Sequence, residues 1–216
     1  DPSKTCEWSV FFVEMDDIHT HSDYNDNTCY VKNIQLTSDT LTDELISELN
    51  SAAEKPNKFL SVGIHPWNIN DLSQTTLTNI IDVLLPKIAA YNKVFAIGEC
   101  GIDKCIKTDF NKQKEVFVKQ IELSESIGKP VIIHAVRAYN EIANIKKQLH
   151  AKQQWIIHGF NSNVQIAISL ISLNCKLSIN KFHVNNPKII TLLNSIPKEH
   201  ILFETDTLQK CDVELS

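Results

Sequence analysis

Seven side chains able to bind metals or move protons stand at or just beyond the ends of short apolar runs. They are His19 and His21 in DIHTH, His65 in VGIHP, Glu99 in AIGE, His134 in VIIH, His158 in WIIH and Asp206 in LFETD. Imidazole and carboxylate ligands suit Zn2+, Mn2+, Fe2+ or Ni2+ better than an all-oxygen Mg2+ site, and no thiolate shares these positions. His19 and His21 lie two apart, so in extended chain both rings face one side and can reach one cation. Asp17 shares their parity and is expected to accept an imidazole N–H. Glu99 follows Val94–Gly98, where a carboxylate is costly unless paired or metal-bound, and it can bridge two cations. His134 and His158 end β-branched runs. Asp206 can both ligate a metal and orient or deprotonate a bound water, which makes it the candidate catalytic group. His65 and Arg137 are candidates for contacting a substrate anion, and the guanidinium fork suits phosphate oxygens. Asp103 fits an ordinary turn as well as a functional role. His150, His183 and His200 follow no strand-end pattern and are taken as structural.

Apolar runs that each end in a ligand are what buried parallel strands look like when they deliver side chains to a barrel mouth. Strand-like runs occur at 11–18, 29–34, 59–64, 94–98, 130–134, 155–158, 175–179 and 200–204, eight in all. Helical spacing marks the segments between them. The segment 111–127 is stopped by Gly128 and Pro130, and 40–53 opens with Thr40 and Asp43 at capping-box spacing. Others are 74–91 (interrupted by Pro86), 139–151, 164–172 and 187–195, the last with Pro187 at its first position. Alternating strands and helices imply crossover units and a parallel sheet, and eight strands imply closure into a TIM-type (β/α)8 barrel. The barrel is expected to be small and incomplete at its first and last helices. Segment 21–28 is too short and polar for a first helix, and nothing helical follows Asp206. Residues 15–216 are expected to form one domain, truncated at its C-terminal end, and residues 1–14, ahead of the only methionine, Met15, are expected to be an extra or non-native segment.

At 216 residues, with 43% apolar and 22% charged side chains, the composition is that of a folded globular chain. The net charge of −5 supplies no general attraction for nucleic acid, so a polyanionic substrate needs local positive charge, most simply bound cations. Tight binding to long duplexes, which relies on many Lys/Arg–phosphate contacts, is disfavoured. Six scattered cysteines without a C-x-x-C are expected to be reduced thiols of a cytoplasmic protein. No apolar run reaches the ~20 residues of a membrane span, and a monomer is the default.

The order of these motifs resembles the TatD-type hydrolases of the amidohydrolase superfamily. The carrying residues are Asp17-Ile18-His19-Thr20-His21, Gly63-Ile64-His65-Pro66, Gly98-Glu99-Cys100-Gly101-Ile102-Asp103, Pro130-Val131-Ile132-Ile133-His134 with Arg137, His158-Gly159-Phe160, and Glu204-Thr205-Asp206. Each motif alone is weak, and the ordered set across 15–207 is specific. The resemblance implies a TIM-type barrel holding two divalent metal ions (Zn, Mn, Mg, Ni or Fe) and hydrolysis of phosphodiesters, often as a deoxyribonuclease of exonuclease type; the acidic net charge adds the expectation of DNA ends or short single strands as substrate. It implies one metal on His19, His21, Glu99 and Asp206, and another on Glu99, His134 and His158, with Glu99 shared. His65 and Arg137 match positions near the substrate phosphate. The chain departs from the family pattern at Asn161-Ser162-Asn163, where a glycine-containing turn is usual, and at Thr207-Leu208-Gln209-Lys210, where a proline-containing loop is usual. Two alternatives carry the same ligands: hydrolysis of a non-nucleic-acid ester, amide or lactone, and a catalytically silent metal-binding protein.

Overall fold

The computed structural model describes Phe12 and residues 15–206. Eight strands run β1 Asp17–Thr20, β2 Tyr30–Gln35, β3 Lys58–Gly63, β4 Val94–Asp103, β5 Val131–Val136, β6 Trp155–Ile157, β7 Cys175–Asn180 and β8 Ile201–Glu204. All neighbours pair in parallel and in sequence order, the arrangement expected of a TIM-type barrel. The barrel is nearly closed. Between β8 and β1 the Asp206 N–H donates to the His19 carbonyl at 3.1 Å, and the Asp17 carboxylate accepts from Thr205 N–H at 3.2 Å and Thr205 Oγ1–H at 2.8 Å. The first strand begins at Asp17, later than the apolar run from 11 implied. Residues 11, 13 and 14 of that run lie outside the described residues, as does all of 1–14 except Phe12.

The helices follow from capping and apolar spacing. Helix α1 (Asp43–Glu54) buries Leu45, Leu49 and Ala52, and its cap is Thr42, whose hydroxyl accepts the Leu45 N–H at 3.2 Å. The expected Thr40–Asp43 box does not form; Thr40 instead shares a hydrogen bond with Ser38. Helices α2 (Gln74–Asn79) and α3 (Leu85–Ala89) are joined by one π-helical turn over Ile80–Leu84, ahead of Pro86. Proline lacks an N–H and crowds the carbonyl four residues back, and the wider turn relieves both. Helix α4 (Phe110–Ile127) is capped by Asp109 and stopped by Gly128 in the left-handed region, at φ 70°. Helices α5 (Tyr139–Leu149), α6 (Val164–Ile171) and α7 (Pro187–Ser195) complete the described outer layer.

No helix joins β1 to β2, and an ion network holds the connection in place of apolar packing. The Lys58 ammonium, on a side chain only 1% exposed, lies 2.7 Å from both Asp23 and Glu48, and Lys32 lies 2.7 Å and 2.6 Å from the same two carboxylates. The network ties the 21–29 connection across β2 and β3 to α1. Inside the barrel, Ile18, Val31, Phe95, Ala96, Ile132, Ile156 and Leu202 pack into a floor with Phe12, whose ring meets Phe95 edge-on at 5.6 Å. Side chains two apart on a strand share a face. Above Ile132, Ile156 and Leu202 the same side therefore carries His134, His158 and Glu204. Among the described residues no helix is long and apolar enough to cross a membrane.

Candidate metal centre

Glu99 reaches the barrel axis through an irregularity in β4. Ile97 pairs with Val131 but Cys100 pairs with Ile133, so β4 carries one residue more than β5 over this stretch, a bulge that re-aims the side chain within it. The close approach requires glycine. A Cβ on Gly101 (φ 150°) would stand 2.0 Å from the His134 carbonyl oxygen, and one on Gly98 (φ 131°) would stand 2.3 Å from that of Ile132. The Glu99 N–H is held by Asn33 Oδ1 at 2.8 Å, and Asn33 also accepts from Ser61 at 3.2 Å. Gln120 of α4 grips the Ile64 peptide from both sides, accepting its N–H at 2.8 Å and donating to its carbonyl at 3.2 Å, which fixes the backbone just before His65.

Four imidazoles converge on this one carboxylate. His158 Nε2, His134 Nδ1 and His65 Nε2 lie 2.6, 2.7 and 3.1 Å from Glu99 Oε1, and His19 Nε2 lies 3.3 Å from Oε2. Asp206 Oδ1 stands 3.6 Å from both His19 Nε2 and His21 Nε2. Four overlapping groups have ligand atoms within 4.8 Å of one another: His19–Glu99–His158, His65–Glu99–His134, His19–His21–Asp206 and His158–Glu204–Asp206. Glu99, His19, His158 and Asp206 each belong to two groups. Asp206 adopts a left-handed backbone, φ 44°, two residues past the end of β8.

The residues fit bound cations. Among the described residues, both ring nitrogens of His19, His158 Nδ1 and Glu204 Oε2 are buried without a hydrogen-bond partner. Each such group costs roughly 1–3 kcal/mol unless something satisfies it, and a cation beside His19 Nε2 would satisfy that atom while drawing on imidazole and carboxylate donors that suit borderline divalent metals. Burial opposes charge on Glu99, yet His158, with the close approach of the His134, His158 and His19 rings, holds its carboxyl well below the usual range. Burial also opposes charge on Asp206, and His21, His158 and His19 outweigh it, so this carboxyl too is lowered. His65 is lowered chiefly by burial, against the pull of Glu99. The carboxylates are thus kept anionic and the His65 ring is biased neutral, the forms a metal requires, whereas His158, despite its burial, is pushed well above the usual imidazole range by Glu99 and Glu204, so a metal binding there would displace a proton.

Every residue singled out from the sequence as a ligand lies in this cluster. His65, expected nearer the substrate, is 3% exposed and lies inside the cluster. Arg137 stands apart from the ligands on an exposed left-handed turn, φ 52°, and forms no ion pair among the described residues. It lines a cavity of about 680 Å3 together with Lys104, His134, His158, Asn161 and Asp206. Asp17 does not meet an imidazole. It accepts the His19 backbone N–H at 3.3 Å, the Tyr24 hydroxyl at 2.6 Å and both Thr205 groups, so its role is at the barrel seam. Two carboxylates gain roles. Asp103 lies 3.2 Å from His134 Nε2 and accepts the Trp67 indole N–H at 2.8 Å. Glu204, fully buried, accepts the Gly159 N–H at 2.7 Å and lies 3.6 Å from His158 Nδ1. Its parity with Leu202 was the available signal.

A nearly closed parallel barrel with an imidazole–carboxylate cluster at the C-terminal ends of its strands defines a TIM-type barrel with a candidate metal centre. The profile of the TatD related DNase family matches residues 16–211, and the chain belongs to that family. It is 34% identical over 151 residues to a "putative deoxyribonuclease TATDN1 homolog" of Enterocytozoon bieneusi, covering 67% of this chain and 54% of that protein. It is 30% identical over 154 residues to the "uncharacterized metal-dependent hydrolase YabD" of Bacillus subtilis, covering 68% and 58%. The chain thus spans between half and two thirds of the length of these relatives. Among solved structures, the TatD homolog YJJV of Escherichia coli superposes with a TM-score of 0.73 at 20% identity, covering 89% of this chain and 79% of that one. The TatD family hydrolase of Entamoeba histolytica gives 0.71 at 17%, covering 89% and 73%. At these identities the structures speak to the barrel alone.

Proposed function

We propose that the chain is a metal-dependent hydrolase that cleaves phosphodiesters with two divalent cations, as a deoxyribonuclease acting on DNA ends or short single strands. The observation that carries this reading is the Glu99 carboxylate, with one oxygen within 3.1 Å of three imidazoles and the other 3.3 Å from a fourth. An anion so placed is suited to being shared. His19, His21 and Asp206 would hold one cation, and His134 and His158 the other, with Glu99 common to both and His65 beside it. When bound, such a pair lowers the pKa of a water and offsets charge on the entering and leaving oxygens. The remaining work falls to the chain. Asp206, anionic and only partly buried, accepts the proton of the attacking water. Glu204 and Asp103 orient the rings of His158 and His134 from outside the centre. Arg137 offers its fork to a non-bridging phosphate oxygen.

The name of the E. bieneusi relative favours the deoxyribonuclease assignment, and the net charge of −5 favours short or single-stranded substrates over long duplexes. We take the working unit to be a cytoplasmic monomer. The test is hydrolysis of bis(p-nitrophenyl) phosphate and of end-labelled single-stranded oligonucleotides by protein stripped with chelator and reloaded with Mn2+, Zn2+, Co2+, Ni2+ or Mg2+. Turnover that appears only on reloading, with metal content near two per chain, supports the proposal. Turnover of carboxylic esters or lactones without phosphodiesters would move the assignment to that substrate class. Folded, reloaded protein inert toward all of them would make it a silent metal-binding barrel.

A further inference from the structure

The turn after β3 holds an aromatic side chain in an unusual state. Trp67 is 53% exposed, yet it is fixed from several directions. Its indole N–H donates to Asp103 Oδ2 at 2.8 Å, and its backbone N–H donates to His65 Nδ1 at 3.2 Å. Its ring meets those of His65 and His134 at steep angles, with centroids 4.9 and 5.9 Å away. The flanking chain is equally constrained. Pro66 and Ile69 are buried, and Asn68 donates to Gln35 at 2.9 Å. The indole can neither fold into the core nor swing freely into solvent.

A large aromatic surface left in water forgoes the burial that would stabilise it, and holding it rigid removes the entropy cost of ordering it when a partner arrives. Its position names the partner. It contacts two histidines of the metal cluster, so whatever covers it lies next to the group being cleaved. A planar, apolar-faced neighbour of a scissile phosphate is a nucleobase, and base–aromatic stacking tolerates any base because every base has a π-face. We propose that Trp67 is the stacking platform for the nucleobase adjacent to the scissile phosphate, so that the site requires a base there without selecting which one. The inference rests on the phosphodiesterase reading, and it turns that reading into a claim about substrate class. The preferred substrates are nucleotide phosphodiesters carrying a base at that position, above abasic or purely alkyl diesters.

Two variants of the full chain separate stacking from the bond to Asp103. Trp67→Phe keeps an aromatic face and loses the N–H. Trp67→Gln keeps an N–H donor and loses the face. The metal-reconstituted proteins are compared on single-stranded oligonucleotides with either a normal or a tetrahydrofuran (abasic) residue at the cleaved end, with metal content and melting temperature checked for each. Removing the base should lower the wild-type kcat/KM about 5- to 100-fold. Trp67→Phe should keep most of that ratio, and Trp67→Gln should bring it close to one. A ratio that survives in Trp67→Gln but collapses in Trp67→Phe would assign the effect to the Asp103 bond and overturn the proposal. A second arm needs no turnover: oligo(dT) should quench the indole fluorescence of the metal-free wild type, an abasic oligomer should not, and Trp67→Gln should lose the difference. Equal quenching by both oligomers refutes the platform even if DNA is hydrolysed. Base-dependent quenching without DNA hydrolysis supports the platform and refutes the nuclease assignment.

Discussion

Glu204→Gln is the substitution on which the reading of the metal centre is most exposed. Glu204 is fully buried, Gly159 N–H occupies its Oε1 at 2.7 Å, and His158 Nδ1 stands 3.6 Å from the same oxygen while its Nε2 faces Glu99 at 2.6 Å. On the proposed function the carboxylate steadies a ring whose far nitrogen would face a metal, favouring the tautomer with the proton on Nδ1. Gln matches Glu in shape and its carbonyl retains the Gly159 bond, so what is lost is the charge facing the ring. Losing an outer partner of a metal-ligating ring typically costs 10- to 100-fold in metal affinity, about 1.4–2.7 kcal/mol. The effect on the metal-free fold differs. Glu204 Oε2 has no hydrogen-bond partner among the described residues, so the substitution removes a poorly satisfied buried charge while leaving an unpartnered amide group. These effects oppose each other, and metal-free stability should change by less than about 1 kcal/mol. Chelator-competition titration with Zn2+ or Mn2+, alongside thermal unfolding of stripped protein, measures both quantities. Unchanged affinity for every metal tested would refute the ring-steadying role, and so would an affinity loss matched by an equal loss of metal-free stability.

Three further outcomes follow from the fold. Glu48→Ala leaves the buried Lys58 ammonium with Asp23 and Ser51 only, which should cost about 2–3 kcal/mol and lower the melting temperature by roughly 5–10 °C; an unchanged melting temperature would show that the network adds nothing. Burial opposes ionisation of Asp23, but its hydrogen bonds to Lys32, Lys58 and Tyr30 hold its carboxyl far below the usual range. Because the folded pKa is the lower one, this stabilisation is complete above about pH 4 and is lost as the pH falls further. The urea midpoint should therefore drop more steeply below pH 4 in the wild type than in Asp23→Asn, and parallel curves would exclude the linkage. Gly101→Ala forces a Cβ to 2.0 Å from the His134 carbonyl and should cost more than about 4 kcal/mol, whereas Gly128→Ala, with nothing within 4 Å, should cost only about 1–2 kcal/mol, as comparative unfolding will show.

The eight strands were legible because parallel strands buried on both faces must be almost continuously apolar, and the helix ends because Gly128 and Pro187 carry their own backbone preferences. The clustered residues of the candidate site were legible for a related reason: a charged or imidazole side chain ending such a run has nowhere inexpensive to go. What escaped depended on partners distant in sequence. Glu204 looked like one more strand residue until Gly159 and His158 surrounded it. Asp17 shares the parity of His19, but the seam with Thr205 claims its carboxylate before any imidazole can. The bulge that turns Glu99 inward exists only as a mismatch between β4 and β5, and neither strand reveals it alone. The cap at Thr42 displaced Thr40 because two hydroxyls close in sequence compete for the same helix start.

The seam closed by Asp17 also bears on how the protein assembles. Its carboxylate reaches Thr205 across 188 positions of sequence, and His19 and Asp206 face each other over the same junction. Seven consecutive strand pairings can form between near neighbours in the chain, but the seam between β8 and β1 joins the two edges of the sheet, so its loop-closure entropy is the largest in the fold. The ligand group His19–His21–Asp206 is completed only at that last joining. A cation bound there would act as a clasp on the finished barrel, so metal uptake would report whether the ring has shut, and chelation would loosen it first at the seam.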